Sequence, residues 1–163
     1  MPAMERAKEA VNCLSKTAIQ ELKGFGKPPP ECIEVCAAVA HLLLGEKKKQ
    51  DWRFATKMMG NPQGFLDQIA EFDANNIPEE SLAKTEPFLA EPFFTFEVMK
   101  SKSSAAANLT NWVINIVGYN KIYKKVAPLM EEVRVRSEVN SELNFPPNFE
   151  GLVLGCIDAD FCK

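Results

Sequence analysis

Residues 104–133 read SAAANLTNWVINIVGYNKIYKKVAPLMEEV. The first half of this stretch carries apolar side chains at the i, i+4, i+7, i+8 spacing of one helix face: Ala105, Leu109, Trp112, Val113, Ile116 and Tyr119. Such a stripe is typical of a helix that packs on a core. Farther along, the apolar residues alternate steps of four and three, the period of a coiled coil, at Ile122, Val126, Leu129 and Val133. We therefore expect one long helix that begins at Ser103 or Ser104, packs on a core and continues as a coiled-coil strand.

The N-terminal stretch has the coiled-coil period as well. Apolar residues between Met4 and Phe25 follow one another at steps of 3, 4, 3, 4, 4 and 3 residues, which predicts a single helix along this stretch. Two consecutive steps of four, between Leu14 and Leu22, interrupt the regular seam and weaken the specification of its register. The prolines that begin at Pro28 end the helix, because proline cannot donate a backbone hydrogen bond and restricts the residue before it.

Shorter helices are predicted between these two long ones, over residues 31–44, 51–59, 65–72 and 79–84. The helix over 31–44 is apolar on nearly every side and is therefore expected in the core, with Gly45 as its C-terminal cap. Asp51 is the expected N-cap of the next helix, and the run Lys47–Lys49 before it is expected to be a solvated loop. Alternation with a period of two is absent. The predicted fold class is all-α, a small bundle of about six helices.

The order of the helices predicts a hairpin. The two coiled-coil stretches open and close the chain, beside Pro28 on entry and Pro128 on exit, so that the chain can leave and return along an antiparallel coiled coil with a small domain at its tip. The expected division is a first coiled-coil helix with the entry to the domain at 1–27, a globular domain at 28–128, the start of the returning helix at 129–143, and a tail at 144–163. The tail fits no helical pattern and is expected to be disordered.

Charge is unevenly distributed along the chain. The formal net charge is −3, yet residues 98–128 hold five lysines and no Asp or Glu, whereas residues 58–97 hold eight acidic residues and one lysine. This segregation predicts a polarised surface whose basic part can bind an acidic partner.

Several functional classes do not fit the sequence. The five cysteines form no CxxC pair, and an odd number favours a reducing compartment. Cys32 and Cys36 are four residues apart but lack two further ligands at a workable spacing, so we expect buried thiols there and no metal site. The start of the chain lacks a signal-peptide pattern, and no apolar run approaches the roughly 20 residues of a membrane span. No phosphate-binding glycine motif and no nucleophile or general-base motif is present. We therefore expect an intracellular, non-catalytic binding module without a cofactor.

The chain resembles the microtubule-binding domain at the tip of the dynein heavy-chain stalk. The resemblance spans about residues 7–133 and depends on segments that occur in order: Ala7-Lys8-x-Ala10-Val11, Lys27-Pro28-Pro29, Leu42–Gly45 followed by Asp51-Trp52, Phe72, Pro92 and Glu97, Ala105 with Trp112, Tyr119, and Val126-x-Pro128-Leu129. The form Gly-Lys-Pro-Pro-Pro at 26–30 is more similar to axonemal than to cytoplasmic dyneins.

The resemblance implies a partner and a set of contacts. It implies binding between α- and β-tubulin in microtubules, and attachment to the rest of the heavy chain through the stalk, whose helix register sets the affinity. The implied tubulin-binding residues are Lys16, Lys23, Arg53, Lys57, Lys100 and Lys102. Ser101 stands where the family often has an arginine, so the sequence departs from the family at this contact. The parent protein would be an ATP-driven motor whose ATPase lies elsewhere, in the cytoplasm and cytoskeleton of a cilium or flagellum axoneme.

Two other functions fit the residues without the resemblance. A small helical domain of this kind can be an adaptor that binds a partner helix and has no motor role. Lysine clusters can also bind nucleic acid, but the sequence pI of about 5.3 and the lack of aromatic residues among the lysines disfavour it. Neither nucleic acid nor a membrane is expected as a partner.

Overall fold

The computed structural model describes residues 2–45 and 51–142, which form eight helices and no strand. The helices are α1 (Pro2–Asn12), α2 (Lys16–Lys23), α3 (Pro30–Leu44), α4 (Trp52–Met58), α5 (Pro62–Ala70), α6 (Glu79–Leu89), α7 (Phe96–Lys100) and α8 (Ser104–Glu142). The predicted all-α class is confirmed. The loop Lys47–Lys49 and the tail 144–163 lie outside the described residues.

The predicted single N-terminal helix is wrong, because the chain forms two helices there. α1 ends at Asn12, and Ser15 is the N-cap of α2 with an extended backbone and a side-chain oxygen that accepts from the Ala18 N–H at 3.0 Å. Leu14, between the two helices, remains buried. The irregular step in the apolar spacing therefore marks a helix break, since a local cap at Ser15 offers the backbone an alternative to continuous helix.

The second difference from the predicted helices is α7. This five-residue helix begins at the N-cap Thr95, whose hydroxyl accepts from the Val98 N–H at 3.4 Å. It is too short to show a helical period in the sequence. With the break at Ser15 it accounts for eight helices in place of about six.

α3 lies at the centre of the domain and packs against α4 and α6. Nine of its residues are buried, as its nearly uniform apolar composition predicts. Gly45 ends it with a φ of 61°, the left-handed conformation that glycine adopts without strain. His41 is buried and stacks on Phe88 of α6 at a ring-centroid distance of 5.9 Å.

α8 packs its apolar stripe into the same core, and polar contacts hold its middle part. Asn120 is fully buried and donates through Nδ2 to the carbonyl of Ala74 at 2.8 Å. The hydroxyl of Tyr119 donates to Oδ1 of Asn75 at 2.9 Å. Both bonds attach the α5–α6 connection to the middle of α8. They place this part of the acidic segment 58–97 beside α8.

The chain divides into two compact units, residues 1–124 and residues 125–163. In the second unit α8 continues through Pro128, and an ion pair joins Arg134 to Glu131 at 2.6 Å. Apolar side chains exposed in this unit are Leu129, Met130, Val133 and Val135. The boundaries predicted at 27, 128 and 143, and the coiled-coil hairpin, stay predictions. Among the described residues no helix is both long and apolar enough to cross a bilayer.

Candidate functional site

α2 carries the first two predicted binding residues, Lys16 and Lys23, at its two ends. They are seven residues apart, which is about two turns and about 10 Å along the axis, so they share one side of the helix. The buried residues Ile19 and Leu22 anchor α2 to the core. Lys16 is exposed, whereas Lys23 is half-buried and donates from Nζ to the carbonyl of Gly60 at 3.4 Å.

α4 carries the next two, Arg53 and Lys57. Asp51 caps the helix as predicted, because its carboxylate accepts from the Phe54 N–H at 2.9 Å. Arg53 and Lys57 are both exposed and, four residues apart, they share one helix face. Neither side chain forms a hydrogen bond or an ion pair within the described part of the chain. Their charges are therefore available to a partner.

Two contacts bring α2 and α4 together. The Lys23 bond to Gly60 ties the end of α2 to the second residue after α4. The indole N–H of Trp52 donates to the carbonyl of Phe25 at 3.1 Å and ties the start of α4 to the chain that leaves α2. Four of the six predicted residues consequently lie on two neighbouring helices. Trp52 is partly buried and packs against the core.

Lys100 and Lys102 lie on α7 and in the turn before α8. The Nζ atom of Lys100 is 5.7 Å from the centroid of the Phe96 ring. Lys102 forms an ion pair with Glu31 at 3.6 Å, at the start of α3. The ion pair therefore joins the turn before α8 to the first turn of α3.

The ion pair between Lys102 and Glu31 is only partly exposed to solvent. The side chains of Lys102 and Glu31 are 40% and 23% exposed, and Oε2 of Glu31 is buried without a hydrogen-bond donor. A buried carboxylate oxygen without a donor is costly, and the ammonium of Lys102 is the compensating charge beside this carboxylate. Lys102 is thus partly neutralised inside the domain, which the sequence did not indicate.

The lysines of segment 98–128 do not act as one basic surface. Lys121 pairs with Glu86 at 2.7 Å and Lys124 with Glu79 at 3.7 Å, both on α6. Lys121 lies about 26 Å along α8 from its first residue, at 1.5 Å per residue. These lysines offset the acidic charge of α6, and the candidate face contains only the lysines that precede α8.

The cysteines of the core are chemically inert. Burial raises the pKa of Cys36 to about 12, and burial together with the neighbouring Glu31 carboxylate raises the pKa of Cys32 to about 11. Both thiols stay protonated at neutral pH, and a protonated thiol is a poor nucleophile. In the described ranges no group of His, Cys, Asp or Glu side chains is arranged to hold a metal ion.

The chain is similar to one protein family and to several heavy chains. The profile of the family described as "Microtubule-binding stalk of dynein motor" matches residues 1–144. The chain is 41% identical over 145 residues to "Dynein axonemal heavy chain 17" of Homo sapiens, an alignment that covers 87% of this chain and 3% of the relative. It is 40% identical over 130 residues to "Dynein beta chain, flagellar outer arm" of Chlamydomonas reinhardtii, covering 78% and 3%. It is 39% identical over 130 residues to "Dynein beta chain, ciliary" of Tripneustes gratilla, again covering 78% and 3%. The chain thus spans about 3% of the length of the curated relatives it matches.

Proposed function

The chain belongs to the family of microtubule-binding stalk domains of dynein motors, and from this premise we propose that it docks on α/β-tubulin through one basic face. We name this set of residues the α2–α4–α7 face, and it consists of Lys16, Lys23, Arg53, Lys57, Lys100 and Lys102. A stalk domain is a non-catalytic part of the motor, so its function is binding alone.

The observation that carries the proposal is the junction of α2 and α4. Trp52 and Lys23 bond to Phe25 and Gly60 and so connect the end of α2 to the start of α4 and to the turn after it. Basic residues from separate parts of the sequence therefore lie on two helices that are tied together. Lys16, Arg53 and Lys57 are exposed there. The microtubule surface is strongly acidic, and a basic face both steers association and fixes its orientation.

Co-sedimentation with microtubules tests the proposal through its dependence on salt. The domain is expected to pellet with stabilised microtubules, and its affinity is expected to fall as ionic strength rises. The reason is that raising ionic strength from about 0.1 M to 1 M shortens the screening length from about 10 Å to about 3 Å. Duplex DNA and single-stranded RNA are the controls and are expected to retain little of the domain. Microtubule binding that is unchanged when the ionic strength rises from about 0.1 M to about 1 M would contradict the electrostatic account.

A second test concerns Lys102. Glu31→Gln removes the carboxylate that holds Lys102 inside the domain, so we expect microtubule affinity to rise by about two- to fivefold, as for the loss of a partly exposed ion pair that competes with binding. Glu71→Gln is the matched control, because it makes the same charge change at an exposed position just after α5. An equal rise in both variants would show that net charge, and not the release of Lys102, is the cause.

We further propose that the register of the flanking helices sets the affinity of the face, and that the parent chain is an ATP-driven motor. The test takes the antiparallel hairpin predicted from the sequence as its premise: cysteine replacements in residues 4–11 and 126–133 are paired in two registers that differ by half a heptad, after Cys13 is replaced because it is exposed. The two crosslinked forms are expected to bind microtubules with different affinities. Identical affinities would exclude a register switch in this protein.

The names of the relatives support a proposal about localisation. Their printed names place them in axonemes, cilia and flagella. We propose the same location for this chain, in the axoneme of a cilium or flagellum.

A further inference from the structure

The contact between Phe96 and Lys100 points to a positioning role within the α2–α4–α7 face. The Lys100 ammonium lies 5.7 Å from the centroid of the Phe96 ring, inside the range of a cation–π interaction. We infer that Phe96 positions Lys100 for microtubule binding by holding its ammonium on an uncharged ring and away from the carboxylate of Glu97. This inference rests on the proposed function of Lys100 in the basic face.

α7 is a firm support for this contact, although it is short. Phe94 and Met99 are buried and fix the segment to the core. Thr95 caps the start of the helix, and the Ser101 hydroxyl donates to the Val98 carbonyl at 2.7 Å at its end. Phe96 is partly buried and packs against the core, so its ring is held in place while Lys100 is exposed.

Lys100 has an alternative partner that it does not use. Glu97 precedes it by three residues on the same helix, a spacing at which a glutamate and a lysine commonly pair. Within the described residues, however, Glu97 takes part in no ion pair. The ammonium of Lys100 is therefore within cation–π range of the Phe96 ring and forms no ion pair with Glu97 of the same helix.

The difference between a ring and a carboxylate matters for binding an acidic surface. An ion pair neutralises the lysine, as Glu31 partly does for Lys102. An aromatic ring carries no net charge, so Lys100 keeps its full charge while its side-chain motion is restricted. A restricted side chain loses less conformational entropy when tubulin binds. Phe96 thus makes Lys100 both oriented and fully charged.

The experiment compares microtubule affinities of Phe96→Leu, Lys100→Gln and the double variant. Lys100→Gln is expected to weaken binding about two- to fivefold, and Phe96→Leu by no more than that, as for the loss of an exposed cation–π contact. In the Lys100→Gln background, Phe96→Leu is expected to have no further effect. Phe96→Trp keeps an aromatic ring and is expected to bind within about twofold of the wild type, since Trp is the strongest cation–π partner.

Glu97→Gln separates positioning from a general effect on folding. With Glu97 present, loss of the ring lets Lys100 pair with the carboxylate, so Phe96→Leu is expected to cost less affinity in the Glu97→Gln background. A purely structural role of Phe96 would cost the same in both backgrounds. Thermal melts of each variant confirm that the affinities are those of folded protein.

The outcomes distinguish the two proposals. If Lys100→Gln leaves the affinity unchanged, Lys100 is not part of the binding face, and the inference about Phe96 is overturned with it. If Lys100→Gln weakens binding but Phe96→Leu does not, or Phe96→Leu weakens it equally in the Lys100→Gln background, the inference alone is overturned and the binding face stands.

Discussion

Lys57→Glu is expected to weaken microtubule binding by at least tenfold, about 1.4 kcal/mol or more. Lys57 is exposed in the last turn of α4 and has no ion-pair partner within the described residues. Its replacement places a carboxylate against an acidic partner, and like charges opposed across an interface cost several kcal/mol. Equilibrium co-sedimentation over a range of tubulin concentrations measures the change.

Stability is expected to change little in the same variant. A glutamate near the C-terminal end of a helix costs about 0.3–1 kcal/mol through the helix dipole, which lowers the melting temperature by only a few degrees. Lys8→Glu is the matched control, because it makes the same charge change at an exposed position on α1, outside the proposed face. Equal losses of affinity in the two variants would show that total charge, and not the α2–α4–α7 face, determines binding.

Trp112→Ala is expected to destabilise the fold by about 3–5 kcal/mol, the cost of truncating a large buried aromatic residue. Trp112 is 1% exposed, and its ring meets the edge of Phe72 at a centroid distance of 5.4 Å. It also lines a cavity of about 280 Å³ beside α1 and α5, which the truncation would enlarge. Because small domains have about 5–15 kcal/mol of stability in total, the loss is a large fraction of it.

Urea denaturation of Trp112→Ala, followed by far-ultraviolet circular dichroism, measures the loss. Trp112→Phe is the control, since it retains a ring at this position and is expected to cost distinctly less. The two main variants are expected to differ in kind: Lys57→Glu loses binding and keeps stability, whereas Trp112→Ala loses stability. If the two were equally destabilised, the division of these residues into face and core would be wrong.

Much of the fold could be predicted because its signals are local. Gly45 and Asp51 mark the end of α3 and the start of α4 through their own backbone and side-chain chemistry. The apolar stripe that includes Trp112 identifies the core-facing side of α8, because helical periodicity alone determines which side chains share a face. Where one short-range rule acts without competition, sequence and structure agree.

The N-terminal helices show what happens when two local rules compete. The apolar spacing continues through Leu14 and favours one helix, whereas Ser15 can cap a new one. The structure satisfies both the apolar spacing and the cap, since Leu14 is buried and α2 begins at Lys16. α7 was missed for a different reason: five residues contain too little periodicity to predict a helix, and its position depends on the burial of Met99.

The chemistry of the binding face is only partly local. Exposed basic residues at helical spacing, such as Arg53 and Lys57, could be identified from the sequence and the family resemblance. Which of these charges remain available to a partner could not be identified from the sequence, because that depends on contacts between distant residues. Glu31 partly neutralises Lys102 across 71 positions of the chain, and Glu86 binds Lys121 across 35. Coulomb interactions act through space, so only tertiary structure decides which lysines meet a carboxylate inside the domain and which face the partner.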